Sequence, residues 1–255
     1  LFPNKDDTLR FCVDYRLLNV VTKKDSYPLP GMDQCIDSLG EATILSRLGC
    51  NAGYWQVAIA LDDREKTVFV CHEGAYQYQR MPFGLTNAPA TLQRALDIIL
   101  SGVKWKSCLI YLDSFIVYSK TAEEQDGHFD RVLRLLRDAG VTLRLPKCRF
   151  FRRTVRYLGH EIKPGRLGVM DVHTRALQAA HFPTTSTQVP SFSGMCNVLR
   201  RFVPSFSGMT APLTDLMGST APVLAPPAPT LQQHAFDRLK EADTTSPILA
   251  LPRRG

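Results

Sequence analysis

The apolar positions switch between a two-residue and a three-to-four-residue period, and the switches mark out the elements. Leu9–Tyr15 (L-R-F-C-V-D-Y) is aromatic and β-branched and predicts a strand. Pro28-Leu29-Pro30-Gly31 breaks the pattern, after which Met32, Ile36 and Leu39 recur at helical spacing up to Gly40. Ile44–Leu48 and Tyr54–Ala60 predict strands interrupted at Asn51-Ala52-Gly53. Thr67–Cys71 and Ala75–Gln79 predict a hairpin across His72-Glu73-Gly74. Leu92, Ala95, Leu96 and Ile99 place a helix over Pro89–Leu100, with Asn87 as its candidate cap and proline tolerated in the first turn. Cys108–Leu112 and Phe115–Tyr118 predict two strands hinged at Asp113-Ser114, which sets Asp113 at a hairpin tip.

The clearest helix is Glu123–Ala139, where Phe129, Val132, Leu133 and Leu136 form one apolar stripe. Thr121 and Glu124 make a capping box, and Gly140 sits where a helix stops. Gly127 inside it costs about 1 kcal/mol relative to alanine. Leu143–Leu145, Val155–Leu158 and Glu161–Ile162 predict short strands. Beyond Met170 the pattern turns helical, over Val172–Ala180 and Ser186–Phe202. Pro204–Pro229 is rich in Pro, Ala, Ser and Thr and reads as linker-like, and Leu231–Ala242 is a last amphipathic piece. The fold class expected is α+β, with an antiparallel sheet and a small helical C-terminal appendage.

With 255 residues and 44% hydrophobic content the chain can bury one or two cores. The net charge of +7 suits a polyanionic partner such as nucleic acid, and equally a basic protein with none. Seven cysteines, an odd count with no C-x-x-C pair, point to free thiols in a reducing intracellular compartment, cytoplasm or nucleus. Cys148 and His160 lack a second pair at zinc-ligand spacing. No apolar run approaches the ~20 residues of a membrane span, and no signal peptide opens the chain. The first residue, Leu1, points to a piece of a longer protein.

Several stretches, in order, resemble one family, the gypsy-type LTR retrotransposon reverse transcriptases. Arg10–Arg16 with Leu18-Asn19 resembles the fingers strand, and Asp25–Pro30 the turn after it. Gly53-Tyr54-Trp55-Gln56 resembles the nucleotide-holding start of the palm. The most specific run, Met81-Pro82-Phe83-Gly84-Leu85-Thr86-Asn87-Ala88-Pro89-Ala90-Thr91, is intact. Tyr111-Leu112-Asp113 resembles the start of the Y-x-D-D hairpin, and Tyr157-Leu158-Gly159-His160 the segment that supports the primer end. Arg200–Ser207 and Ala211–Thr214 are similar to the thumb-to-connection stretch, and Ala235-Phe236, Leu239-Lys240 and Pro247–Leu249 to the opening of an RNase H-like module. The resemblance implies a right-hand polymerase: fingers and palm over 1–165, a thumb/connection-like segment over 166–217, a Pro/Ala-rich linker over 218–230 and a truncated RNase H-like start over 231–255.

It also implies a chemistry. The family uses two Mg2+ ions, with Mn2+ able to stand in, to join a dNTP to a primer. Two divalent ions about 4 Å apart repel by roughly 17 kcal/mol at an effective dielectric of about 20, and carboxylates must offset that. The family supplies three aspartates. Here the first position reads Ser46-Arg47-Leu48-Gly49 and the hairpin pair reads Asp113-Ser114, so Asp113 is the one metal ligand retained and Gly49 and Ser114 are substitutions. Asp62, Asp63 and Glu65 fall on a polar turn away from the metals by family pattern, and Asp14 reads as structural. The resemblance assigns Lys5, Arg10, Tyr54, Phe83 and Gly84 to nucleotide binding, and Tyr157, Leu158, Gly159 and His160 to primer support. Arg149, Arg152, Arg153 and Arg156 cluster near the primer-support segment, where neutralising duplex phosphates is the expectation, whereas Arg131, Arg134 and Arg137 read as a solvated helix face. The partners implied are an RNA/DNA primer–template duplex, dNTP and other Pol modules (RNase H, integrase), with no membrane. The expectation is an RNA-directed DNA polymerase domain with an impaired centre. The alternatives are a non-catalytic nucleic-acid-binding scaffold subunit and residual Mn2+-supported catalysis.

Overall fold

The computed structural model describes residues 2–3, 9–185, 188–197, 200–203, 205–216, 231–244 and 249–251. Two compact units divide the chain, residues 1–153 and 154–255.

In the first unit, β1 (Phe2–Pro3) pairs antiparallel with β2 (Leu9–Arg10). The ladder ends at Arg10, short of the strand expected through Tyr15, and Arg16–Val21 forms a helix, α1. Tyr15 explains the break: its ring is buried and its hydroxyl donates to the Thr67 carbonyl at 3.1 Å, turning the chain inward. Helix α2 (Met32–Asp37) buries Cys35 and Ile36, with Leu39 buried just beyond it, whereas Met32 of the expected stripe is exposed.

The central strand β3 (Ile44–Gly49) follows. The expected Tyr54–Ala60 strand is replaced at its start by a 3-10 turn, Gly53–Gln56. Ala52 is left-handed (φ 48°), and a Cβ on Gly53 would lie 3.0 Å from the Asp113 Cβ, so the chain must turn there. The short helix α3 (Leu61–Arg64) carries Asp62 and Asp63, and β4 (Phe69–Cys71) and β5 (Gly74–Tyr76) form the expected hairpin in shortened form. Helix α4 (Ala88–Ile99), strands β6 (Cys108–Tyr111) and β7 (Ser114–Ser119), helix α5 (Ala122–Asp138) and strand β8 (Arg149–Arg152) complete the unit.

The sheet runs β6-β7-β3-β8, antiparallel throughout. Both side-chain parities are buried, Leu48, Ile110, Phe115 and Val117 on one and Leu45, Leu109 and Ile116 on the other, so both faces are covered. On the first face α4 contributes Leu92 and Leu96 and α5 contributes Val132 and Leu136 to one core. The Thr121 hydroxyl accepts from the Glu124 amide at 3.2 Å, as the capping box predicts, and Gly140 (φ 70°) ends the helix.

In the second unit, β9 (Val155–Tyr157), β10 (His160–Lys163) and β11 (Arg166–Val169) form an antiparallel meander joined by β12 (Leu249–Ala250). Helices α6 (Asp171–Ala179), α7 (Gln188–Cys196), α8 (Phe206–Thr214) and α9 (Leu231–Thr244) gather Leu177, Phe192, Leu213, Phe236 and Leu239 into a separate core. Helix α8 lies in the stretch read as linker-like. Phe206, Met209 and Leu213 sit at helical spacing there and outweigh the composition, with Pro212 near the helix end. Residues 204 and 217–229 of that stretch lie outside the described residues.

The β9–β10 turn places both of its residues in the left-handed region, Leu158 at φ 48° and Gly159 at φ 83°, between the paired Tyr157 and His160. That is the requirement of a type I′ turn, which favours Asn-Gly, and a leucine there costs about 1–2 kcal/mol. Leu158→Asn is therefore expected to stabilise the chain by about 1 kcal/mol, read as a higher urea midpoint at unchanged slope.

Candidate active site

The register of β3 against β7 assembles the centre. Gly49, the last residue of β3, lies directly opposite Ser114, the first of β7. Tyr111 pairs with Ser114, so the hairpin loop is Leu112-Asp113, one residue earlier than the Asp113-Ser114 hinge expected from sequence. Asp113 still sits at the tip, and its carbonyl accepts from the Cys50 amide at 2.8 Å. Gly49, Asp113 and Ser114, the three positions for which the resemblance implies carboxylates, thus meet at one end of two adjacent strands.

The Asp113 carboxylate has a partner that sequence reasoning did not single out. Lys147 Nζ donates to Asp113 Oδ2 at 2.8 Å and to the Cys50 carbonyl at 3.3 Å. A Cβ built on Gly49 would lie 2.9 Å from Lys147 Cβ and 3.0 Å from its Cδ. The lysine stem therefore fills the volume that any side chain at 49 would need. Burial, and then the Asp113 carboxylate, push the neighbouring Cys50 thiol up to about 12.

The loop is held from beneath by α4. Leu112 is left-handed (φ 52°), a conformation that leucine pays for in steric strain. Its amide donates to Gln93 Oε1 at 2.7 Å. Gln93 is fully buried and donates from Nε2 to Asp97 Oδ1 at 2.9 Å and to the Ile110 carbonyl at 3.3 Å. Asp97 in turn accepts from the Tyr27 hydroxyl at 2.7 Å and faces Lys104 Nζ at 2.6 Å. The sequence carried a signal for this network: Gln93 and Asp97, four apart, interrupt the buried face of α4 with polar side chains.

Beside the hairpin, Tyr54 packs edge-on to Phe83 with ring centroids 5.4 Å apart, and Trp55 meets the same ring at 5.9 Å. Burial, with Asp113 second, pushes the Tyr54 hydroxyl up. Gly84 adopts φ 95°, open to glycine, and a Cβ there would touch Tyr15 Cδ2 and the Val13 carbonyl at 3.5 Å. Asn19 clamps this loop from α1, donating to the Gly84 carbonyl at 2.7 Å and accepting from the Thr86 amide at 2.8 Å. Asn87 is the N-cap by position, yet its side chain makes no cap bond. It accepts from the Asp25 amide at 3.0 Å and donates to the Lys23 carbonyl at 2.9 Å, tying the turn after α1 to the loop. Arg94 donates to both Asp25 oxygens, at 2.8 and 2.6 Å. Tyr54 thus lies near Asp113 and against Phe83, while Gly84, next in the chain, faces Tyr15 and Val13. Arg10 lies on β2, its backbone paired with Phe2, and Lys5 lies outside the described residues.

Asp63 pairs with Lys66 at 2.5 Å on the turn after α3. Arg134 pairs with Asp130 at 2.8 Å and Arg137 with Asp138 at 3.4 Å, the pattern of a solvated helix face. Arg149, Arg152 and Arg153 are exposed on and just after β8 in the first unit, whereas Arg156 and Tyr157–His160 belong to the second. All seven cysteines are unpaired. Among the described residues no helix is long and apolar enough to cross a membrane.

Residues 2–162 match the family model described as reverse transcriptase (RNA-dependent DNA polymerase). The chain is 32% identical over 255 residues to the retrovirus-related Pol polyprotein from transposon 297 of Drosophila melanogaster, covering 98% of this chain and 24% of that protein. It is 34% identical over 246 residues to the Pol polyprotein from transposon gypsy of the same organism, covering 93% and 23%. The chain therefore spans about a quarter of the length of these curated relatives. Among solved structures, a foamy viral protease-reverse transcriptase in complex with double-stranded DNA aligns with TM-score 0.87 at 23% identity, over 96% of this chain and 43% of that one. The same kind of protein in complex with an RNA/DNA hybrid aligns with TM-score 0.83 at 22% identity, over 96% and 33%. These structures share the α+β polymerase fold.

Two outcomes follow from the network under the hairpin. Gln93→Leu leaves the Leu112 amide and part of Asp97 unsatisfied in the interior, and should destabilise by about 2–3 kcal/mol in urea unfolding. Asp25 is held below the usual carboxylate range, first by the Arg94 guanidinium and then by the Tyr27 amide. Its stabilising contribution is present above the unfolded-state pKa of about 3.9 and is lost as pH falls through the lower folded value. The stability gap between the parent chain and Asp25→Asn should accordingly be widest near neutral pH and close on the acid side.

Proposed function

The chain belongs to the reverse transcriptase (RNA-dependent DNA polymerase) family, of the gypsy-type LTR retrotransposon kind, and on that premise we propose that it is the polymerase module of a Pol polyprotein whose nucleotidyl-transfer centre is impaired. One observation carries the reading: where three carboxylates are needed, the β3–β7 ladder presents Gly49, Asp113 and Ser114. The donor set does not fit two divalent ions. Gly49 brings no ligand atom and Ser114 only a neutral hydroxyl, so the formal charge is one negative, and Lys147 neutralises it. Magnesium requires near-octahedral oxygen coordination, and a lone carboxylate shared with an ammonium group does not supply it.

What the centre lacks, its surroundings keep. Tyr54 and Phe83 form a wall beside Asp113, and Gly84 leaves the adjoining loop backbone open. These residues, with Lys5 and Arg10, are assigned to nucleotide binding, and Tyr157–His160 to primer support. Residues 1–165 are proposed as fingers and palm, 166–217 as thumb/connection, 218–230 as linker and 231–255 as the start of an RNase H-like module.

The exposed arginines at 149, 152 and 153 favour a second reading, a non-catalytic scaffold that grips a primer–template duplex. Phosphate neutralisation of that kind gives affinity that falls steeply with salt and is indifferent to sequence. The solved structures with the same fold were bound to double-stranded DNA and to an RNA/DNA hybrid.

The deciding experiment is primer extension on an RNA template with Mg2+ and then Mn2+, using the full chain beside Gly49→Asp/Ser114→Asp, with folding verified by circular dichroism. The parent is expected to be silent and the double variant to extend, the carboxylate introduced at position 49 displacing the Lys147 stem. Extension by the parent at the variant's rate would sink the impaired-centre reading. Salt-dependent duplex binding by the silent parent supports the scaffold, and absence of binding at low salt removes it.

A further inference from the structure

We propose that the edge of the central sheet carries a platform for single-stranded nucleic acid: Phe150 and Phe151, braced by Phe129, take up unstacked bases, and Arg152 and Arg153 take up the phosphates between them. The inference rests on the nucleic-acid part of the scaffold reading and narrows it, from a duplex to a single strand.

The platform begins with a bulge. Strand β8 lies at the edge of the β6-β7-β3-β8 sheet. Leu45 pairs with Arg152 and Arg47 with Arg149, so β8 holds one more residue than β3 between the two pairs. Phe151 takes up the excess in the left-handed region (φ 49°), a strained place for a bulky side chain. The bulge is pinned from the interior. The Phe151 amide donates to Ser46 Oγ at 3.0 Å, Gln125 Nε2 donates to the same oxygen at 2.9 Å, and Ser46 and Gln125 are both fully buried.

In a regular strand Phe150 and Phe151 would point to opposite faces. Here both meet one ring, Phe129 of α5, edge-on with centroids 5.5 and 5.4 Å apart. They lie on the side of the sheet where α5 packs, whereas Gly49 shares the parity of Leu45 and Arg47 on the other side. The platform is thus separate from the candidate centre.

Despite that packing, Phe150 is 40% and Phe151 43% exposed. Arg152 and Arg153 are exposed and have no side-chain hydrogen-bond or ion-pair partner among the described residues. Arg149 instead directs one nitrogen to the Pro146 and Cys148 carbonyls. Protecting an edge strand calls for a bulge and charges, not for two half-exposed phenyl rings. Flat apolar faces interleaved with cations match a polymer whose every unit carries one base and one phosphate. A duplex hides its base faces in the stack, so only an unpaired strand can use the rings.

The test uses the full chain and a dye-labelled oligouridylate of about 12 nucleotides, read by fluorescence anisotropy beside an RNA/DNA hybrid of the same length. The parent should bind the oligouridylate, and a 5-iodouridine version should crosslink within 149–153, as mapped by mass spectrometry. Phe150→Leu and Phe151→Leu keep an apolar side chain and remove the flat ring. Each should weaken oligouridylate binding about fivefold or more and leave hybrid binding unchanged. Arg152→Gln/Arg153→Gln should flatten the dependence of log affinity on log salt by about 1.4, the contribution of two phosphates on a single strand. No binding by the parent, or crosslinks only outside 149–153, overturns the proposal, and neither result needs a substitution. It is overturned equally if the phenylalanine variants bind the oligouridylate as the parent does, or lose oligouridylate and hybrid in the same proportion. Decaglutamate that displaces the label from the parent as effectively as unlabelled oligouridylate overturns it too, and marks a surface for acidic protein. A parent that binds the oligouridylate at 149–153 but not the hybrid removes the duplex scaffold and leaves the platform standing.

Discussion

The antiparallel ladder between β3 and β7 is the constraint on which the candidate centre depends. Its register sets Gly49 opposite Ser114, and the short loop before Ser114 delivers Asp113 to the same end. A slip of one residue would turn every side chain of β3 to the other face. Burial of both parities in the central strands forbids the slip, because Leu45 and Leu48 would each lose a fitted pocket. The spatial coincidence of the three positions is thus a property of the sheet.

A buried polar network adds the finer constraint. Gln93 takes up the Leu112 amide, Asp97 takes up Gln93, and Tyr27 and Lys104 take up Asp97. Such a chain is stabilising only when every member is satisfied, and here it ends on the left-handed Leu112 that aims the loop. Asn19 and Asn87 do the same for the Met81–Asn87 loop, linking it to α1 and to the turn after it. The intact loop run is accounted for by these bonds as much as by any contact with substrate: Gly84 must be open on one side and its carbonyl must meet Asn19.

The candidate centre is locally coherent. A glycine at the end of β3 leaves a groove, the turn after α5 is hydrogen-bonded to that glycine, and a lysine stem lies in the groove with its charge on the remaining carboxylate. Volume, backbone pairing and charge agree locally.

The sequence by itself determined the family, the α+β class and the long helices, because ordered motifs and helical periodicity are local in the chain. Thr121, Glu124 and Gly140 marked the ends of α5 correctly for that reason. It misjudged Tyr54–Ala60 and the strand through Tyr15, where the path is set by Gly53 against Asp113 and by Tyr15 reaching Thr67, partners 60 and 52 residues away. It passed over α8, where composition hid the spacing of Phe206, Met209 and Leu213. Lys147 was invisible for the same physical reason. It is 34 residues from Asp113 and 98 from Gly49, and nothing in its neighbours announces it. Only the packing of the turn against β3 made a surface lysine the filler of a glycine and the counter-ion of an aspartate.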